Sequence, residues 1–314
     1  MDLGIVIVSY NTRALTLDCL ASVYDSLAGS ALRAHVWLVD NASTDGSADA
    51  VGGRFPQASL IRSPRNLGFS GGNNLALRAI LEHPEPPRHV LLLNSDTLVH
   101  PGDLEALVEA LDAHPQAGIV GAALRYGDGA FQHSAFRFPT LAMLFLDFWP
   151  LNHRLLHSRL NGRYPRRLYD AGAPFSIDHP LGAALMIRRS ALEQIGLLDE
   201  GFFMYCEEID WCLRARRAGW EILCVPRSVI THLEGRSAAA FREQMLIELW
   251  RSRFRLFRKH YGWPYRLLAG LIVRAGMAGE MRRARRARAA GALTPDQAQQ
   301  RLDAYRRVQE LAHA

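Results

Sequence analysis

Glu207, Glu208 and Asp210 put three carboxyl groups into four consecutive residues. Each ionised carboxylate raises the cost of ionising its neighbour. Such a cluster therefore titrates upward, toward the range where a general base works near neutral pH. A structural use competes with this one. Residues 207–218 are helix-like, and acids in a first turn followed by Arg214, Arg216 and Arg217 satisfy the helix dipole and its i,i+4 pairing. Asp210 and Arg214 suit the structural use, while Glu208 and Glu207 are the candidates for proton transfer. Four more groups of polar residues lie upstream. They are Ser9, Tyr10 and Asn11; Asp40 and Asn41, heading a run that ends at Ser47; Asn66 to Asn74, with Gly68 and Asn73; and Asn94, Ser95 and Asp96. Their oxygens and amides can hold hydroxyls and bases, and a carboxylate such as Asp96 can hold a divalent cation.

Each of these four groups follows a stretch that reads as a strand. Gly4–Ser9 (GIVIVS) is a continuous β-rich apolar run, and His35–Val39 (HVWLV), the short Ser59–Arg62 and His89–Leu93 (HVLLL) follow it. Helical spacing occupies 12–28, through Leu15, Leu20, Val23 and Leu27, and then 45–53 and 71–81. This alternation predicts an α/β fold: a mostly parallel sheet flanked by helices on both faces. In such sheets ligands bind beyond the carboxyl ends of the strands. One polar strand end is turn chemistry; four in succession predict a shared crevice. After Gly118 the periods loosen, and 131–177 reads as loops and short helices laid over the sheet. His179–Arg188 returns to a strand, and Glu221–Val225 is strand-like. Helices are expected over 243–260, 265–290 and 292–314, the last opened by Thr294, Pro295 and Asp296 as cap and first-turn proline. The expected division is a catalytic domain over 1–237 and a basic helical extension over 238–314.

No G-x-G-x-x-G follows the first strand and no G-x-x-x-x-G-K-[ST] occurs, which disfavours nicotinamide enzymes and P-loop phosphotransferases. A diphosphate would instead be held through a carboxylate-bound divalent cation. Several motifs occur in order: Val8–Asn11 (VSYN), Val39–Ser47 (VDNASTDGS), Asn66–Asn74 (NLGFSGGNN) and Leu93–Asp96 (LNSD). Gly182–Arg188 (GAALMIR), Asp199–Asp210 (DEGFFMYCEEID) and His232 follow. On these the sequence resembles glycosyltransferase family 2, with a GT-A fold. Within it, the chain is most similar to bacterial rhamnosyltransferase-like members that build surface polysaccharides. The matches run from Gly4 to about Ser237.

The resemblance implies roles for individual residues. Asp40 would accept the imide N–H of a pyrimidine base or hold the ribose. Ser9, Tyr10, Asn11, Asn41, Asn66, Gly68, Asn73, Asn94 and Ser95 would line the donor. Asp96 would bind the metal. Asn94 stands where the family's D-x-D has an aspartate, so one negative charge is missing. His232, 24 residues beyond Glu208, would be a further metal ligand, which tilts the choice between Mg²⁺ and Mn²⁺ toward Mn²⁺. Glu208 aligns with the family's base, generally an aspartate, and carries one extra methylene. Glu207 is the alternative base, or binds acceptor hydroxyls. Among Phe202, Phe203, Met204, Tyr205 and Trp211, which surround these acids, at least half are expected to be core. The implied reaction is inverting, metal-dependent transfer of a sugar, rhamnose from dTDP-rhamnose by resemblance. It runs from a nucleoside-diphosphate donor to a glycan or lipid-linked acceptor. Two other readings stay open. A non-catalytic nucleotide-sugar-binding subunit would suit the neutral Asn94. A sugar-phosphate nucleotidylyltransferase is disfavoured because 9–16 lacks a glycine-rich triphosphate loop.

Composition sets the frame. Over 314 residues, 49% are hydrophobic and 22% charged, which suits a folded core. Cys19, Cys206, Cys212 and Cys224 form no C-x-x-C, so zinc is disfavoured and reduced thiols are expected. No secretory signal and no spanning run are evident, so a cytoplasmic location is expected. The net charge is +6, yet 249–288 holds 12 Lys or Arg and one acid, Glu280, leaving the rest of the chain at −5. A basic tail on an acidic body points to an anionic surface and away from nucleic acid. Arg282–Arg288, after the apolar run Leu267–Val273, resembles an interfacial segment, predicting peripheral attachment to the inner face of the cytoplasmic membrane. A contact between subunits is the competing use, and the oligomeric state stays open, a dimer included.

Overall fold

The computed structural model describes residues 1–150, 158–233 and 242–312. The first part alternates as expected: β1 (Leu3–Ser9), α1 (Arg13–Ala28), β2 (Ala34–Asp40), α2 (Ser47–Arg54), β3 (Ser59–Arg62), α3 (Gly68–Leu81) and β4 (His89–Asn94). Next come β5 (Thr97–Leu98), α4 (Asp103–Ala113), β6 (Ala117–Tyr126), β7 (Phe131–Gln132), β8 (Ala135–Phe136), α5 (Leu141–Phe148) and α6 (Arg166–Asp170). The remainder is β9 (Phe175–Ser176), β10 (His179–Pro180), β11 (Ala184–Arg188), α7 (Arg189–Ile195), α8 (Glu207–Arg217), β12 (Glu221–His232), α9 (Arg242–His260), α10 (Trp263–Ala289) and α11 (Pro295–Leu311). The single strand expected over 179–188 is broken into β10 and β11.

The main sheet runs β3-β2-β1-β4-β11-β6-β12-β5. β3, β2, β1 and β4 are parallel, so the carboxyl ends of these strands share one edge. β11 enters antiparallel between β4 and β6, while β12 returns parallel to β6. The apolar runs are buried as a two-sided sheet requires. Leu3, Ile5, Ile7, Leu38, Leu91 and Leu107 are wholly excluded from solvent. Each such side chain contributes roughly 1.5–3 kcal/mol of apolar burial. β12 shifts register between Val225 and Val229, around Pro226, which has no N–H for the ladder. Past this bulge the strand continues to His232.

The chain divides into two compact units. The first holds the sheet and its helices. The second comprises Phe138–Arg163, Met204–Cys206 and the C-terminal helices. In the second unit Phe148 stacks on Trp250 with ring centroids 5.5 Å apart. Gly276 of α10 lets that helix approach α5, because a Cβ there would stand 2.3 Å from the Phe148 ring. α11 opens with the anticipated Thr294 cap, completed as a capping box by Gln297, and with Pro295 in its first turn. The boundary expected after Ser237 lies outside the described residues, as do the ends of the motif region near Ser237 and of the last helix at Ala314.

Candidate active site

A chain of hydroxyls forms the floor of the sheet edge. Ser9 Oγ lies 2.8 Å from Thr16 Oγ1 and 3.2 Å from Thr12 Oγ1, which in turn lies 3.2 Å from Ser95 Oγ. Ser9 is fully buried, so it braces this floor, whereas Tyr10 stands exposed beside it. Asn11 has φ 53°, a left-handed conformation that Asn tolerates well. Its Oδ1 accepts the Thr44 N–H at 2.8 Å and its own N–H donates to Ser43 Oγ at 3.0 Å. These bonds tie the end of β1 to the loop after β2.

Asp40, at the tip of β2, is 4% exposed. One carboxylate oxygen accepts the Ser43 N–H at 3.2 Å, and the other, Oδ1, has no partner among the described residues. A buried acceptor left unsatisfied costs about 1–3 kcal/mol, a cost that a ligand N–H would remove.

The asparagines nearby are engaged by the protein itself. Asn41 accepts the Leu67 N–H at 2.9 Å and donates to Asn66 Oδ1 and the Gly68 carbonyl, both at 3.0 Å. Asn73 donates to the Phe69 carbonyl at 2.9 Å. Asn41, Asn66 and Asn73 thus hold the loop in shape. Gly68 has φ 70°, and the Phe69 N–H donates to the Phe203 carbonyl at 2.7 Å. A Cβ on Gly68 would stand 2.1 Å from that carbonyl oxygen. Gly68→Ala is therefore expected to cost about 2 kcal/mol or more and to lower the melting temperature by about 5 °C, read in a thermal melt.

Asp96 and His232 are brought together. Asp96 directly precedes β5, and β5 pairs antiparallel with the end of β12, His232 opposite Thr97. The Leu233 N–H donates to the Asp96 carbonyl at 2.8 Å. Asp96 Oδ1 then lies 3.5 Å from His232 Nε2, with both side chains nearly buried. His232 Nδ1 lies 3.2 Å from Gln132 Oε1. With its proton on Nδ1, the imidazole donates to Gln132 and turns the Nε2 lone pair toward Asp96, the arrangement a metal-binding histidine needs. Gln132 was not legible in advance, since it lies in the stretch without periods. Among the described residues no three His, Cys, Asp or Glu side chains cluster to hold a metal. Asp96 and His232 would together offer a divalent cation one carboxylate oxygen and one imidazole nitrogen.

Glu208 reaches the same edge. A Cβ on Gly182 would lie 3.8 Å from the Glu208 Cβ, and the carbonyl of the next residue, Ala183, accepts the Asn94 N–H at 2.9 Å. Glu208, at the start of α8, is thereby linked to the end of β4, where Asn94 and Asp96 stand. The Asn94 side-chain amide makes no hydrogen bond to the described residues. Burial pushes the Glu208 carboxyl up to about 7, while the N–H groups of Glu208 and Ile209 pull the other way. Burial, and then the neighbouring Glu208, push Glu207 well above the usual carboxylate range. Its Oε2 is buried without a partner among the described residues. Asp210 takes the structural role: it accepts from Arg214 Nε at 2.9 Å, and Arg214 also donates to the Leu197 carbonyl at 2.8 Å. Trp211 and Phe202 are core, fully excluded from solvent, whereas Phe203 is partly exposed.

The family model for glycosyl transferase family 2 matches residues 4–196. The chain belongs to that family. The N-acetylglucosaminyl-diphospho-decaprenol L-rhamnosyltransferase of Mycobacterium tuberculosis is 31% identical over 240 residues, covering 73% of this chain and 76% of the relative. Rhamnosyltransferase WbbL of Escherichia coli is 26% identical over 162 residues, 51% of this chain and 58% of that one. Among solved structures, the mannosyltransferase PcManGT from Pyrobaculum calidifontis, in complex with GDP-Man and Mn²⁺, is 18% identical with a TM-score of 0.59. That likeness covers 99% of this chain and 85% of the other, and it is one of fold. The fold is GT-A, and this family-2 member is a sugar-transferring glycosyltransferase. Its membership does not favour the nucleotidylyltransferase or scaffold readings.

Proposed function

We propose that this family-2 enzyme is a metal-dependent inverting transferase that moves rhamnose from dTDP-rhamnose onto a lipid-linked glycan. What supports this reading is the Asp96–His232 pair at the end of β12, with Glu208 packed against Gly182 next to the residue that bonds Asn94, and the buried Asp40 oxygen left without a partner among the described residues. The two relatives from Mycobacterium tuberculosis and Escherichia coli are rhamnosyltransferases, and the name of the first gives an N-acetylglucosaminyl-diphospho-decaprenol acceptor. In this reading catalysis belongs to residues 1–237, and 238–314 serve attachment at the cytoplasmic face of an anionic membrane.

Asp40 Oδ1 accepts the imide N–H of the donor's pyrimidine. Ser9, Tyr10, Asn11, Asn41, Asn66, Gly68, Asn73, Asn94 and Ser95 shape or line the donor cleft. Asp96 Oδ1 and His232 Nε2 would hold the cation, with Mn²⁺ preferred to Mg²⁺ because one ligand would be an imidazole. When bound, the cation supplies Lewis-acid neutralisation of the departing diphosphate. Glu208 takes the proton from the acceptor hydroxyl as that oxygen attacks the anomeric carbon, and the bond to the diphosphate oxygen breaks on the opposite face. Glu207, its carboxyl held well above the usual carboxylate range by burial, hydrogen-bonds an acceptor hydroxyl.

The reading is tested by incubating the protein with dTDP-rhamnose, Mn²⁺ and a diphosphate-linked N-acetylglucosamine acceptor. Nucleotide release is followed, and the anomeric configuration of the product is assigned by NMR. Retention of configuration, or an absence of dTDP release beside turnover of another nucleotide sugar, would overturn the corresponding part. Gln132→Leu removes the amide oxygen that holds the imidazole, with an unchanged circular-dichroism spectrum as the control for folding. It is expected to weaken Mn²⁺ binding about 10–100-fold, measured by calorimetry in the presence of dTDP.

A further inference from the structure

α10 carries a surface that neither the fold nor the transfer chemistry uses. Trp263, Leu267, Leu268 and Leu271 are 69, 56, 47 and 52% exposed. Positions 263, 267 and 271 recur every four residues, so they share one face, with 264 and 268 beside them. The opposite face, Ala269, Gly270, Val273 and Met277, is buried. The run Leu267–Val273 is thus split between two faces, and its leucines point away from the second unit's core. A helix whose outward strip is apolar inverts the usual solvated pattern.

Along the sequence, the charges flanking this strip have one sign. From Leu249 through Gly279 there are seven Lys or Arg and no Asp or Glu. Arg251 and Arg253 are paired with Glu248 and Asp147. Arg258, Arg266 and Arg274 have no acidic partner among the described residues. Arg258 and Arg266, with Phe254, Phe257, Trp263 and Leu311, line a cavity of about 310 Å³. Further along the outward face of α10, Arg282, Arg285 and Arg286 are exposed.

A symmetric contact with a second copy would set these arginines against their own equivalents, since a two-fold interface pairs a patch with itself. An anionic lipid surface matches both features at once: hydrocarbon for the apolar strip and phosphate for the cations. Among the described residues no helix is long and apolar enough to cross a membrane. An in-plane arrangement is the one left for a lipid-bound α10, with Trp263 suited to the headgroup level.

We propose that α10 docks in the plane of an anionic membrane. Trp263, Leu267, Leu268 and Leu271 enter below the headgroups, and Arg258 and Arg266 hold a lipid phosphate at the cavity they line. This deepens the lipid-linked acceptor reading and rests on it for its purpose. The anchor becomes the apolar strip and its flanking cavity, with Arg282–Arg288 as a supplementary attraction.

The test is co-sedimentation of the full chain with vesicles of phosphatidylglycerol and phosphatidylcholine, against phosphatidylcholine alone. The wild type is expected to pellet with the anionic vesicles. Leu267→Glu with Leu271→Glu is expected to bind at least tenfold more weakly with an unchanged circular-dichroism spectrum. Arg258→Gln with Arg266→Gln is expected to bind severalfold more weakly and with less dependence on salt. Leu160→Glu, at an exposed leucine outside α10, should bind as the wild type does. The proposal is overturned if the wild type stays in the supernatant, or if the double leucine variant binds like the wild type. It is equally overturned if that variant turns a dimer into a monomer while vesicle binding was absent throughout. Transfer to a short-chain, water-soluble diphosphate acceptor, followed by nucleotide release, keeps the two readings apart. Vesicle binding without such transfer supports the docking surface and removes the proposed reaction; transfer without vesicle binding does the reverse.

Discussion

Glu208→Gln is expected to lower the turnover number about 10³-fold or more while donor binding stays within about threefold, because the amide keeps the shape but cannot accept the acceptor's proton. Single-turnover kinetics and donor titration by calorimetry measure the two halves separately. A comparable loss in donor affinity would reassign Glu208 to binding. The pH dependence follows from the same group. Its pKa is raised to about 7, and only the ionised form is a base, so wild-type kcat/KM is expected to rise with pH through about 7 and then level off. Stability moves in the opposite direction. A carboxyl whose folded pKa lies above its unfolded value stabilises the fold while neutral. The contribution of Glu207 and Glu208 is therefore complete below the ordinary carboxylate range and is lost as pH rises through about 7 and beyond. The enzyme becomes active where this pair is under most strain. Glu207→Gln removes the ionisable partner, so its melting temperature at pH 8 is expected to exceed that of the wild type.

Asp96→Asn should be the second large loss. Asp96 and His232 are the proposed cation pair, and Asn94 already supplies no charge. A second neutral residue leaves no carboxylate facing the cation, so Mn²⁺-dependent donor binding is expected to disappear and kcat/KM to fall about 10²–10⁴-fold. Calorimetry with dTDP-rhamnose, with and without Mn²⁺, reads this directly. If the variant keeps the same Mn²⁺ dependence as the wild type, the cation is held elsewhere. His232→Ala should follow Asp96→Asn in kind and fall short of it in size, since it removes a ligand without removing charge.

Much of this arrangement could be read from the chain. GIVIVS, HVWLV and HVLLL are long enough and apolar enough to be buried only as parallel strands, and the polar residue after each had to fall at a sheet edge. The Asp210–Arg214 pair and the Thr294 cap are likewise local, set by spacing along one helix. β6 was not legible. Its AGIVGAALRY run is rich in glycine and alanine, which fit strand and helix alike, and its place in the sheet comes from pairing with β11 and β12. The packing of residues 138–163 and 204–206 with the C-terminal helices also left no periodic trace in the sequence.

Which groups could do chemistry, and that strand ends would carry them, follows from the chain alone, because side-chain period and strand polarity are local properties. Tertiary structure decided the rest. The meeting of His232 with Asp96 depends on a bulged strand crossing to β5, and the tautomer of His232 depends on Gln132, 100 residues away. The raised pKa values of Glu207 and Glu208 come from burial of their carboxyls, and burial is a property of everything packed around them. Only the folded chain revealed which leucines of α10 face outward, since its register follows from Gly276 lying against Phe148.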